Sequence, residues 1–342
     1  MRPAPDVTVV IPTRSRWDLL STAALPSALA QEDVEIEVIV VDDGSSDTTP
    51  DALAELADPR VRVLRHQRAR GVARARNAGT AAARGEWIAF LDDDDLWSPR
   101  KLRLQLDAAH RERASFVYGG AAAVGEDRSW LYSLPPVDPA VLPTALLSRN
   151  VLWGGCSNVV AHADVVRALG GFDERLFQLA DWDLWIRLAQ STRGAACTDV
   201  VVGCLIHSSS MLLTSEDDIF DEFEYLATKH RALSEGRGAR FDGALFTRWV
   251  ALGHRRAGRR LRAARVYLAG AVRHRDPALL VRALAPLIGE RAVDSIRRAL
   301  RRPDRDGRVV ESSAEPPWLG LYRDGVARNV RASVNASLPS GS

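Results

Sequence analysis

Residues 90–95 read Phe-Leu-Asp-Asp-Asp-Asp. Four adjacent carboxylates repel one another, so something cationic must offset them. A hard divalent ion with oxygen ligands does this best. Mg²⁺ or Mn²⁺ held by one or two carboxylates completes its shell with phosphate oxygens. Successive residues of an extended chain point to opposite sides, so not all four can hold one ion. The plain alternative is an acidic loop whose Asp caps a helix opening at Ser98-Pro99.

Other clusters carry compatible chemistry. Residues 40–47, Val-Val-Asp-Asp-Gly-Ser-Ser-Asp, place carboxylates where a base N–H or a ribose hydroxyl can donate. They also suit an Asx-turn before a helix. Gly71-Val-Ala-Arg74-Ala-Arg76-Asn77 opens a helix with basic residues, and a helix start can hold a phosphate. It is not a P-loop, because GxxxxGK[ST] is absent. Asp181-Trp-Asp183 precedes a helix with Leu184 and Leu188 on one face. Those carboxylates either cap the helix, worth about 0.3–1 kcal/mol, or include a general base for a hydroxyl nucleophile. Spacing alone leaves both open. His207 stands beside three serines, and a lone His is more often structural. Cys156, Cys197 and Cys204 form no CxxC pair and read as buried apolar residues.

These groups need a frame. Apolar, β-branched runs at 7–11, 35–41, 61–64 and 87–91 predict strands. Between and after them, residues 18–30, a stretch starting near Thr49-Pro50, 71–83 and 96–111 predict helices. Strands alternating with helices argue for an α/β sandwich with a mostly parallel sheet. Ligands then bind beyond the carboxyl ends of the strands. The clusters at 13–16, 42–47 and 92–95 all lie at such ends. Residues 112–215 are less regular, with short helices expected at 165–169 and 181–190. Residues 216–302 look all-helical, and 303–342 read as a loose tail.

Composition narrows the classes. The chain has 342 residues, 46% hydrophobic and 26% charged, enough for a sizeable core. No apolar run reaches the ~18–20 residues that span a bilayer, and no signal peptide is expected, so the chain should stay in the cytoplasm. Net charge is +2, but residues 231–302 hold 18 Arg against five acids. That basic stretch suits anionic lipid. Nucleic-acid binding is not expected, since no binding motif or aromatic platform accompanies the charge.

Taken in order, these motifs resemble those of the family 2 glycosyltransferases over about residues 6–212. Ile11-Pro12-Thr13 is similar to the family's first-strand end, though Arg14-Ser15-Arg16 replaces the usual Tyr/Phe-Asn. Val41-Asp-Asp43-Gly-Ser-Ser-Asp47 is similar to the uridine-contacting loop, and Ala75-Arg76-Asn77-Ala-Gly79 to the helix near the diphosphate. Residues 85–95 resemble the strand carrying the DXD motif. Gly170-Gly-Phe-Asp-Glu174 with Asp181-Trp-Asp183 resembles the acceptor-side segment, with Ala180 where many members carry Glu. His207-Ser-Ser-Ser-Met211 is similar to the closing motif near the diphosphate.

The resemblance implies an α/β/α sandwich of GT-A type with a mostly parallel mixed sheet, divided into a nucleotide-sugar half (1–111) and an acceptor half (112–215). Outside the resemblance lie the C-terminal all-helical segment (216–302), a helical extension, and the tail (303–342). It implies an inverting transfer from a nucleotide-diphosphate sugar, a UDP-sugar first, to a hydroxyl of a glycan or lipid-linked acceptor. Asp181 would be the catalytic base. Pro12, Thr13, Arg14, Asp43, Gly71, Arg76, Asn77, Asp92 and Asp93 would bind the donor. Asp94 and His207 would hold Mn²⁺ or Mg²⁺. The basic 231–302 segment would touch the inner membrane face or simply cap the core; within it, residues 251–271 resemble one tetratricopeptide-type hairpin. Two other classes fit less well. One is a non-catalytic nucleotide-sugar-binding scaffold, the other a phosphoryl-transfer enzyme that lacks the expected phosphorylatable Asp.

Overall fold

The computed structural model describes residues 4–207, 218–256, 258–288 and 314–324. They fall into two compact units. Of the described residues, the first comprises 4–143, 151–206 and 314–324, and the second 144–150, 207, 218–256 and 258–288.

The first unit is built on a nine-stranded mixed sheet: β1 (Val7–Thr13), β2 (Ile36–Asp42), β3 (Val61–Arg65), β4 (Trp87–Phe90), β5 (Leu96–Trp97), β6 (Phe116–Val124), β7 (Trp130–Leu134), β8 (Val160–His162) and β9 (Gly194–Leu205). The order is β3-β2-β1-β4-β8-β6-β9-β5, with β7 on β6. β1, β2, β3 and β4 are mutually parallel, whereas β8 runs antiparallel to both β4 and β6. The sheet is therefore mixed with a parallel core, the expected GT-A type arrangement. Every residue of β1, β2 and β4 is buried. That is why they read as largely apolar runs, interrupted by Thr8 and Glu37: helices cover both faces of a parallel sheet. The helix Val72–Ala82 packs tightly on β1. At Gly79 a Cβ would come within 2.3 Å of Val10.

Two sequence expectations change. Residues 96–100 do not start a helix. Leu96 and Trp97 form β5, pairing with Gly203 and Val202 of β9, and the helix is Lys101–Glu112. The tail is not loose throughout. Pro317–Leu319 and Gly320–Asp324 are helical turns, with Leu319 and Tyr322 buried. Tyr322 Oη donates to the Trp97 carbonyl at 2.7 Å, and Trp318 Nε1 to the Val200 carbonyl at 2.6 Å.

In the second unit the described elements are helices, including Asp218–Lys229, Gly243–Arg256, Arg260–His274 and Pro277–Ile288. Gly243–Arg256 and Arg260–His274 form a hairpin, with Thr247 Oγ1 3.2 Å from His274 Nε2. Phe223 stacks on Phe246 with ring centroids 4.3 Å apart. No helix among the described residues is long and apolar enough to cross a membrane.

Candidate active site

Register places the clusters together. Thr13 lies opposite Asp42, and Val10 opposite Phe90. The loops after β1, β2 and β4 therefore leave the sheet at one rim.

Within Asp92–Asp95 the exposure alternates. Asp93 and Asp95 are buried, whereas Asp92 and Asp94 are only part-buried. Asp93 Oδ2 accepts the Thr13 hydroxyl at 2.8 Å. Arg16 Nη1 donates to Asp93 Oδ1 at 2.9 Å and to Asp94 Oδ2 at 3.1 Å. Burial, then Asp94, pushes the Asp93 pKa up to about 7, against the pull of Arg16 and Thr13. Asp95 points inward. Ser157 Oγ donates to its Oδ2 at 2.5 Å and the Leu205 amide to its Oδ1 at 3.3 Å. Burial, with Asp94 and Asp92 adding, holds its pKa well above the usual carboxylate range. Asp92 Oδ1 accepts Arg76 Nη2 at 2.5 Å, and the Asp92 amide donates to Ser157 Oγ at 3.0 Å.

Asp92 and Asp94 thus offer hard oxygen donors on the side where the run reaches solvent. Among the described residues no three His, Cys, Asp or Glu side chains assemble a cage. The donor set fits an ion that takes most of its ligands from phosphates, the habit of Mg²⁺. His207 falls in the second unit and is buried there.

Asp43 is nearly buried and accepts three hydrogen bonds. The Arg70 and Gly71 amides donate at 2.9 and 2.8 Å, and His66 Nδ1 lies 2.7 Å away. It thereby fixes the start of the helix Val72–Ala82. That helix carries Arg76, whose guanidinium lies against the Phe172 ring, 5.4 Å from its centroid. Asn77, one turn position on, is a tether. Its amide donates to the Phe172 carbonyl at 3.0 Å and to Glu174 Oε1 at 3.2 Å, and its Oδ1 accepts the Phe172 amide at 2.8 Å.

Asp181 opens the helix Ala180–Ser191. Its Oδ1 accepts the Trp182 amide at 2.6 Å. Burial, the largest cause, and Asp92 raise its pKa to about 6, while Arg76 and the Trp182 amide hold it down. Some of its surface stays open to solvent. Gly155 faces it: a Cβ there would sit 3.4 Å from Asp181 Oδ2. Asp183 is different. It is buried and ion-paired to Arg187 at 2.7 Å, and Arg187 also ties the Leu169 and Gly171 carbonyls. Of the two carboxylates, Asp181 is the one suited to accept a proton near neutral pH.

Pro12 is buried at the end of β1, and Arg14 is exposed on the following loop. That loop is clasped to the next: the Ser15 amide donates to Ser45 Oγ at 2.8 Å, and the Ser46 amide to Ser15 Oγ at 3.2 Å. Sequence reasoning missed Arg16, His66, Ser157 and the Gly154-Gly155 turn. The departure at Arg14-Ser15-Arg16 was the one signal pointing to any of them.

Comparison with known proteins agrees with this fold. Residues 8–154 match the family described as Glycosyl transferase family 2. The succinoglycan biosynthesis protein ExoO of Rhizobium meliloti is 42% identical over 153 residues, 44% of this chain and 44% of that protein. The aligned region thus spans less than half of that relative's length. The UDP-Glc:alpha-D-GlcNAc-diphosphoundecaprenol beta-1,3-glucosyltransferase WfgD of Escherichia coli is 29% identical over 193 residues, covering 56% of this chain and 72% of that one. The crystal structure of S. aureus TarS 1–349 in complex with UDP-GlcNAc superposes with a TM-score of 0.55 at 18% identity, over 97% of this chain and 91% of that one. At that identity the superposition speaks to the fold. Over residues 8–154 this chain is similar to glycosyl transferase family 2.

Proposed function

We propose that the chain is an inverting glycosyltransferase that moves a sugar from a nucleoside-diphosphate donor, a UDP-sugar, to an acceptor hydroxyl. The observation that carries this is the Arg76 bridge. One buried guanidinium, on a segment similar to glycosyl transferase family 2, pairs with Asp92 of the acidic loop and acts electrostatically on Asp181. Relatives support the donor and acceptor classes: WfgD's name specifies UDP-Glc and a diphosphoundecaprenol-linked acceptor. We extend that acceptor class, a lipid-linked glycan, to this chain. The working place is then the cytoplasmic face of a membrane, and the basic 231–302 segment makes the peripheral contact.

The residues divide the labour. Asp43 holds the 66–71 loop and the helix start facing the nucleotide. Thr13, Arg14 and Arg16 line the β1 end of the same rim, beside Asp92 and Asp93. Asp94, with Asp92, would hold Mn²⁺ or Mg²⁺. When bound, the ion would supply positive charge to offset the negative charge developing on the leaving diphosphate. Asp181 removes the acceptor proton as the acceptor oxygen attacks the anomeric carbon, and a single displacement inverts that centre. Arg76 favours the ionised form of Asp181.

A second reading, a non-catalytic nucleotide-sugar-binding scaffold, draws on two features. Ala180 stands where many members carry Glu, and Arg16 already bridges Asp93 and Asp94. A thermal-shift screen of UDP-, GDP- and dTDP-sugars with and without Mn²⁺, followed by assay of donor hydrolysis, separates the two. The proposal expects Mn²⁺-dependent stabilisation by a UDP-sugar and release of UDP. Binding without turnover under any acceptor condition would favour the scaffold.

A further inference from the structure

The helical unit carries a groove of about 830 Å³ beside the helix Arg260–His274. Phe220, Thr247 and Val266 contribute to its lining together with arginines from the helix and its lead-in turn, notably Arg259, Arg262 and Arg265. Arg273, also at the groove, is ion-paired to Glu224 at 3.6 Å. Arg259, Arg262 and Arg265 make no ion pair among the described residues. Beside the groove, the same helix exposes an apolar row. Leu261 is 71% exposed, Leu268 49% and Val272 76%. Spacings of seven and four put these three on one helix face.

Arginines with no ion pair among the described residues, together with an exposed apolar row on one helix, are the two halves of an interfacial membrane helix. The apolar row has no counterpart in soluble phosphate binding, and nucleic acid would call for stacking aromatics on that face. We propose that the Arg260–His274 helix and its groove form a docking site for an anionic phospholipid surface, with a headgroup phosphate seated among Arg259, Arg262 and Arg265 and with Leu261, Leu268 and Val272 entering the interface. This rests on the membrane-facing reading of the basic segment given above and assigns it to one helix.

The test is co-sedimentation of the full chain with phosphatidylcholine vesicles with and without phosphatidylglycerol. Two variants are compared with the unchanged chain: Arg262→Gln/Arg265→Gln, and Leu261→Ser/Leu268→Ser/Val272→Ser. UDP-induced thermal shift is measured in parallel. The intact chain should bind only the anionic vesicles, and inorganic phosphate should not displace it. Each variant should bind at least about tenfold more weakly, with the UDP response unchanged. Absence of binding by the intact chain would overturn both the site and the membrane reading, without touching the donor reading. Vesicle binding that neither variant weakens would overturn the site alone. Displacement by inorganic phosphate, or stronger retention on single-stranded RNA than on vesicles, would also overturn it.

Discussion

The Arg16 guanidinium lies 2.9 Å from Asp93 and 3.1 Å from its neighbour Asp94. The cation that the four-carboxylate run requires is therefore partly built into the chain, one loop away. Removing it takes away the guanidinium bonded to both a buried carboxyl and a part-exposed one. Arg16→Ala should lower stability by about 1–3 kcal/mol, below the full cost of breaking a buried pair because Arg16 is part-exposed. The loss should shrink on adding Mn²⁺. Thermal melts with and without MnCl₂ check this, and an equal loss in both would contradict it.

Asp94 carries the metal reading. Asp94→Ala should weaken UDP binding about tenfold or more when Mn²⁺ is present and change little without it. Calorimetric titration of UDP under both conditions gives the comparison. An equal loss in the two would assign Asp94 a structural role.

Gly171 has φ +69°, and a Cβ there would come within 2.4 Å of Asn77 Oδ1. A side chain at this position meets both a left-handed backbone penalty and a clash with the tether. Gly171→Ala should cost roughly 2–3 kcal/mol, read as a lower urea midpoint. A change under about 0.5 kcal/mol would mean that the Asn77 contact is readily rearranged.

Asp181 must be ionised to accept a proton, and its pKa lies at about 6. The rate should be flat above about pH 7 and fall toward tenfold per unit below about pH 6. Because Arg76 holds that pKa down, Arg76→Met should move the acid limb to higher pH. A pH profile of UDP release in both proteins checks the sign. An acid limb that stays in place or moves down would remove Arg76 from the role of keeping Asp181 ionised.

The parallel core was legible because its strands are buried on both faces and leave short apolar runs in the sequence. The three polar clusters at their ends followed from that alone. Leu96-Trp97 was misread because its pairing partner, Val202-Gly203, lies a hundred residues on, beyond any local pattern. The 317–324 turns look like tail by composition. Their order depends on Trp318 and Tyr322 reaching backbone carbonyls of β9 and β5. The roles of Arg16 and His66 depend on which loops the sheet register brings together. No single segment contains that information, so both were passed over, while Asp43 and Asp93, the carboxylates they contact, were singled out.

The base assignment is tested most directly by Asp181→Asn, measured for both UDP binding and UDP release from a UDP-sugar at pH 8. The side chain keeps its size but can no longer accept a proton. The account expects a UDP Kd within about twofold of the unchanged protein, with turnover reduced by about 10²–10⁴. Near-normal turnover, or loss of nucleotide binding along with turnover, would contradict it.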